Sequence, residues 1–286
     1  MEKDLINIGE MLSEICKENV SEEDRKNFNY VEYEVNKFNK SKVHSDVFEC
    51  DKCGNKGLIA YKDMYNNVQY KKCECYKIRK NREKMKKIGL LDFISIKNDN
   101  LQEPKEAWET KMLSIAKEFQ KDDNNYSIFY GGAVGCGKTT ICAKIMSNKI
   151  DILSDLTADY IVWDISYKDL IFNDPNHDRL NEIKNVGILF IDDFLRMGRI
   201  KELNENEREI AKSIIDYRYR NKLITIITSE LYLSEIIDID EAIGTRIYEM
   251  CNKGKYVANI KREESRNRRK KKELGIVDKI KNISVE

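Results

Sequence analysis

Two sets of residues have the types and the spacing to do chemistry. The first is Gly132-x4-Gly137-Lys138-Thr139, inside the run GGAVGCGKTT, followed about fifty residues later by the pair Asp192-Asp193. Glycines at 132, 135 and 137 let the backbone turn tightly and point its N–H groups inward, which makes an anion nest at a helix N-terminus. A lysine at the nest reaches β- and γ-phosphates as a mobile charge, and the next hydroxyl is offered to Mg²⁺. Gly132, Gly135, Cys136, Gly137, Lys138, Thr139 and Thr140 therefore read as the binding loop for a nucleoside triphosphate. Asp192 ends an apolar run beside this loop, where with Thr139 it holds Mg²⁺ through water, and Asp193 follows where a general base orients the attacking water.

The second set is Cys50-x-x-Cys53 and Cys73-x-Cys75. Four thiolates in two close pairs suit a tetrahedral zinc ion, and with every position filled by protein the zinc is structural. Gly54 and Gly57 permit the tight turn after the first pair, and nearby His44 reads as a solvated surface residue. Eight cysteines without an export signal point to the reducing cytoplasm, where clustered thiols are metal ligands before they are disulfides.

Elements must hold these groups in place. Ser127–Tyr130 is an apolar strand running into the glycine loop, and an apolar-periodic helix follows it. Val186–Ile191 is a buried strand that delivers Asp192 to its C-terminal edge, a Walker B arrangement. Tyr160–Trp163 and Leu223–Ile227 read as further strands, the latter ending in Thr228-Ser229-Glu230. At such a strand tip Thr228 or Ser229 can sense the γ-phosphate. Tyr256–Ile260 is a last short strand. Helical spacing is read at Leu5–Ile15, at Trp108–Phe119, from Tyr167, and over Glu207–Arg220 with Ile210, Ala211, Ile214, Ile215 and Tyr219 inward. Ala60-Tyr61 and Val68–Tyr70 form a hairpin between the cysteine pairs. Lys17 to about Ser45 reads as a polar linker with marginal helix.

Length and charge set the remaining bounds. A chain of 286 residues can bury a sizeable core, and 51 Lys and Arg against 50 Asp and Glu leave a net charge of +1. No global field steers it to nucleic acid, so such contacts must come from local runs: Lys71–Lys87 and the tail Lys261–Lys272. No apolar run approaches the roughly 20 residues of a membrane span. Four segments follow: an N-terminal helix and linker over 1–45, a zinc-binding module over 46–88, an ATPase domain over 89–260 and a basic tail over 261–286.

The order GGAVGCGKT, ILFIDDF, DYRYRNK, TIITSE and DEAIGTRIYEM resembles the AAA+ helicase loaders of the DnaC/DnaI type, in their phage and Firmicute versions. The upstream CxxC…CxC module is similar to the zinc-binding N-terminal domain of the DnaI-like members. This resemblance covers about residues 46–286. It implies an α/β fold: an AAA+ P-loop NTPase core of five parallel strands flanked by helices, preceded by a small zinc-ribbon-like domain. The roughly forty residues after Arg246 are too few for a full C-terminal helical lid. It also implies ATP and ADP as ligands and homo-oligomers in which Arg246 enters the neighbouring subunit's site as an arginine finger. The partners it implies are a replicative helicase, gripped by the zinc domain, and single-stranded DNA. The catalytic set is then Lys138, Asp192, Asp193, Arg246 and Ser229.

Three departures bear on this. The strand tip is TSE where many relatives have asparagine. Asp193 stands where most AAA+ proteins place glutamate, which implies slow hydrolysis. Arg266 is the tail residue considered for reaching the nucleotide, although the tail's charge reads first as a DNA-contact or solvated segment. Rival readings are a transposition-accessory ATPase of the IstB type, a small-molecule P-loop kinase, and a zinc-ribbon DNA-binding protein with an inactive ATPase. The zinc module and the DEAIGTRIYEM segment argue against the first. The lack of an acceptor-binding domain argues against the second, and the intact Lys138, Thr139, Asp192 and Asp193 against the third.

Overall fold

Asn29 opens the first described element by accepting the N–H groups of Val31 and Glu32 on its side chain, which caps the helix Tyr30–Lys40. The computed structural model describes residues 29–95, 106–122, 124–153, 156–163, 174, 176–196 and 205–268. The helices expected at Leu5–Ile15 and from Tyr167, and the lysine-rich end of the tail, lie outside these residues. The chain divides into two compact units, Met1–Lys80 and Asn81–Glu286.

In the first unit, Tyr30–Lys40 stands where the sequence reads as a linker with marginal helix. Tertiary contacts make up for its weak pattern. The Asn39 side chain pairs both ways with the backbone of Ala60, at 2.9 Å each, and the Phe38 ring meets Tyr70 edge-on at 4.9 Å between centroids. Ala60 and Tyr70 belong to an antiparallel hairpin of β1 (Leu58–Lys62) and β2 (Val68–Lys72), in register from Leu58 opposite Lys72 to Lys62 opposite Val68. The Asp63 carboxylate ties the turn by accepting the N–H groups of Tyr65 and Asn67. The helix Tyr76–Lys87 carries most of the first basic run.

The second unit is built on a five-stranded parallel sheet. Its strands are β3 (Ile128–Gly132), β4 (Ala158–Val162), β5 (Ile188–Asp192), β6 (Ile224–Thr228) and β7 (Val257–Ile260), in spatial order β4-β5-β6-β3-β7. Every residue of β3, β5 and β6 is buried, as expected for central parallel strands covered on both faces. The connecting helices are Lys138–Ile152, Asp178–Asn185, Glu205–Arg220, Leu233–Ile239 and Glu241–Met250, while Ala107–Lys121 precedes the sheet. Ala107–Lys121 sets Met112 and Phe119 into the core. This strand order, with a phosphate loop after the first strand of the sheet, is the AAA+ P-loop core. Among the described residues the short turn Glu264–Arg266 follows β7.

Among the described residues one charged side chain is wholly shielded from solvent. Arg218, on the inner face of Glu205–Arg220, is fully buried. It donates to the carbonyls of Ile183, Lys184, Val186 and Ile224 and to the Thr225 hydroxyl, at 2.7–3.1 Å. These bonds satisfy the end of the Asp178–Asn185 helix and the start of β6. Burial pulls the guanidinium pKa down to about 9. Tyr219, expected inward, instead bonds Glu249 beside an open cleft.

Candidate functional site

The loop after β3 folds as its glycines require. Gly132, Gly135 and Gly137 all have left-handed φ, at 97°, 71° and 97°. A Cβ on Gly132 would stand 2.1 Å from the Ile260 carbonyl oxygen, so only glycine fits there. The helix Lys138–Ile152 starts directly after Gly137, and its unpaired N–H groups add partial positive charge at the loop. Lys138 is largely buried, and its ammonium donates to the carbonyls of Gly132 (2.9 Å) and Ala133 (2.7 Å). The buried Cys136 thiol donates to the Ala133 carbonyl at 3.0 Å, and burial raises its pKa.

Sheet order brings the acidic pair to this loop. β6 lies between β5 and β3, so its last residue, Thr228, sits between Asp192 and the phosphate loop. Asp192 accepts from the hydroxyls of Thr139 (2.9 Å) and Thr228, with the Tyr160 hydroxyl at 3.4 Å. Burial pushes its carboxyl above the ordinary carboxylate range, against the bonds from Thr228 and Thr139. Asp193 adopts φ 56°, and its N–H donates to Thr228 Oγ1 at 3.0 Å. Its carboxylate pairs with Arg196 at 3.1 Å.

Gly135, Cys136, Gly137, Lys138, Thr139, Thr140, Asp192 and Asp193 line one cavity of 340 Å³, walled on its apolar side by Phe93, Met112, Leu113 and Val134. That volume lies at the lower end of small-molecule sites, which span about 300–1,000 Å³. Two residues of the sequence reading are not brought here. Ser229 is fully buried, donating to the Phe194 carbonyl (2.7 Å) and accepting from the Leu231 N–H; the polar group at the site is Thr228. Arg266 stacks over Trp108 at 5.4 Å and pairs with Glu263 at 3.1 Å. The arginines that line the cavity are Arg196 and, from the tail, Arg268, whose backbone N–H donates to the Gly135 carbonyl (3.1 Å) and whose guanidinium pairs with Glu109. Alternation along β6 places Thr228 rather than Ser229 beside Asp192. No sequence signal separated Arg268 from the other tail cations.

Arg246 lies outside its own phosphate cavity. It sits on the helix Glu241–Met250, pairs with Asp216 at 3.0 Å and donates to the Ala242 carbonyl at 2.9 Å. It lines a separate open cleft with Tyr219, Asp240, Glu241 and Glu249.

In the first unit the sulfurs of Cys50, Cys53, Cys73 and Cys75 all lie within 4.8 Å of one another. The Cys50–Cys73 and Cys53–Cys75 separations are 4.0 and 3.5 Å. Tetrahedral thiolates at 2.3 Å from zinc would stand about 3.8 Å apart, so the donor set fits that ion. The Gly57 N–H donates to Cys53 Sγ at 3.2 Å, a second-shell bond of the kind that holds a thiolate. Burial works against ionising Cys53, yet that bond and the neighbouring thiols bring its pKa down to about 7. Cys75 is pushed up to about 12 by burial and by its bond to Cys53.

No protein-family model matches the chain. In sequence it is similar to the uncharacterized protein YqaM of Bacillus subtilis, 33% identical over 202 residues that make up 67% of this chain and 63% of YqaM. It is also similar to the phage-like element PBSX protein XkdC of the same organism, 28% identical over 72% of this chain and 80% of XkdC. The chain thus spans less than two thirds of the length of YqaM. Among solved structures it is similar to the crystal structure of the DnaC helicase loader, 22% identical with a TM-score of 0.44, over 56% of this chain and 94% of that one. Among the described residues no helix is long and apolar enough to cross a membrane. By sheet order and phosphate-loop geometry, the second unit carries the AAA+ P-loop fold.

Proposed function

We propose that the chain is an ATP-dependent loader of a replicative DNA helicase onto single-stranded DNA, with ATP binding and hydrolysis as an assembly switch. The observation that carries the reading is the separation of Arg246 from a cavity that otherwise holds a full triphosphate set. Lys138 and the loop N–H groups bind phosphate. Thr139 and Asp192, whose side chains share a 2.9 Å hydrogen bond, would hold magnesium, which would supply charge neutralisation for phosphoryl transfer. Asp193 orients the attacking water, and Thr228 fixes Asp192 and the Asp193 backbone in position. A planar, permanently charged fork that stabilises γ-phosphoryl charge is absent from the described cavity except for arginines already paired with Asp193 and Glu109. Supplied by Arg246 of a second copy, it couples hydrolysis to assembly.

The loader assignment itself rests on the resemblance of the run from Asp192 to Met250 and of the cysteine module. Similarity to a phage-like element protein fits the phage version of that family. The cysteine unit, holding zinc through Cys50, Cys53, Cys73 and Cys75, is the part we assign to the helicase. ATP turnover measured with and without single-stranded DNA and the replicative helicase tests the switch. Stimulation by either is expected. Unstimulated turnover combined with phosphate transfer to a small acceptor would instead make the chain a kinase.

A further inference from the structure

Arg196 follows β5 by four residues and stands on the rim of the phosphate cavity. Its guanidinium reaches two carboxylates: Nη1 donates to Asp193 Oδ2 at 3.1 Å, and Nε lies 3.8 Å from Glu230 Oε1. The Asp193 backbone is fixed, its N–H on Thr228 Oγ1 at 3.0 Å and its φ at 56°, and from that position its carboxylate accepts from Arg196. A carboxylate oxygen that accepts from a guanidinium is not free to accept from a water, so the pair withdraws one of the two acceptors that would orient the attacking water. Nothing in the phosphate loop needs this arginine, because Lys138 and the loop N–H groups already face the cavity.

We propose that Arg196 is a positioning residue that restrains Asp193 and so limits hydrolysis in an isolated protomer. This rests on the reading of Asp193 as the group that orients the attacking water. Arg196 acts through that carboxylate, so its effect is expected on the chemical step rather than on nucleotide affinity. The size of the effect is bounded. Its side chain is 54% exposed against 26% for Asp193, and solvent-exposed pairs of this kind contribute free energies equivalent to at most about fivefold in rate. The restraint is also removable, because an exposed arginine exchanges partners without disturbing the core. It predicts slow basal turnover by a mechanism separate from the short side chain of Asp193.

The test is phosphate release by the full-length protein at saturating Mg–ATP, without DNA or helicase, with ATP binding followed in parallel by a fluorescent analogue. Arg196→Ala is expected to raise kcat about threefold to fivefold with KM for ATP unchanged, and Arg196→Gln to do the same should alanine fold poorly. Arg196→Lys keeps a cation near Asp193 and is expected to stay slow. Asp193→Asn combined with Arg196→Ala is expected to be no faster than Asp193→Asn alone. An unchanged or lower kcat in Arg196→Ala overturns the proposal, and a raised KM would make Arg196 a phosphate ligand instead. Nucleotide binding without turnover in both wild type and Arg196→Ala also overturns it, but leaves the nucleotide site standing. Absence of nucleotide binding in the wild type removes the reading beneath it.

Discussion

At the scale of single residues, the site trades stability for chemistry. Asp192 is buried, and burial raises its pKa above that of the unfolded chain. A carboxyl with a raised folded pKa is favoured by the fold when protonated, so its contribution is fully present below the ordinary carboxylate pKa and is lost as pH rises through the folded value. At neutral pH the ionised Asp192 is a cost that magnesium offsets. Asp192→Asn is therefore expected to raise Tm at pH 7, to flatten the loss of stability just above the ordinary carboxylate range, and to abolish magnesium-dependent hydrolysis. Thermal melts from pH 4 to pH 8 check this; a lower Tm for Asp192→Asn at pH 7 contradicts it. Arg246 makes the opposite kind of prediction. Its contacts within the protomer are one ion pair and one carbonyl, so Arg246→Ala should leave ATP binding nearly intact while stimulated turnover falls by about 10³-fold, the scale of an arginine finger. Equal loss of both in a titration of nucleotide and a turnover assay would assign it a structural role within its own protomer.

At the scale of elements, the site depends on strand order. Asp192 and the phosphate loop end strands that are not neighbours, and β6 between them supplies Thr228 to both. Arg218 holds the start of β6 and the end of the preceding helix by hydrogen bonds to four carbonyls. Arg218→Ala would leave those acceptors buried and unsatisfied, so denaturant unfolding should show a loss of about 3–5 kcal/mol; a loss below about 1 kcal/mol would mean that water replaces the guanidinium. The glycine loop, the strand ending at Asp192 and the Trp108–Phe119 face were legible in the sequence because each is a local pattern, either a spacing or a periodicity. What was not legible depends on partners far along the chain. The helix Tyr30–Lys40 buries no residue fully and is fixed by Asn39 on Ala60, 21 residues away. Thr228 and Ser229 differ only in which side of the strand tip they face. Arg268 is one cation among many in a basic tail until the chain's path past Gly135 is known. Arg218 looks like a surface helix charge in sequence, and only the carbonyls around it show otherwise.

At the scale of the whole molecule, two chemistries sit in two units: a sulfur cluster that shapes a surface and a nucleotide site that changes with time. The sulfur cluster should behave as a folding element. Metal analysis of the purified chain is expected to give about one zinc per chain, lost in a Cys73→Ser, Cys75→Ser protein, while nucleotide binding persists because none of its ligands lies in that unit. Full zinc in the double variant would exclude those cysteines as ligands. The central claim is that these units together place a ring helicase on DNA. Its most direct test is co-purification of the cognate replicative helicase with the full-length protein, with ATP and without. Capture that is lost in the Cys73→Ser, Cys75→Ser protein and that responds to ATP is the predicted result. A helicase that fails to co-purify under every nucleotide condition would contradict the loader assignment and leave an AAA+ ATPase acting on some other DNA transaction.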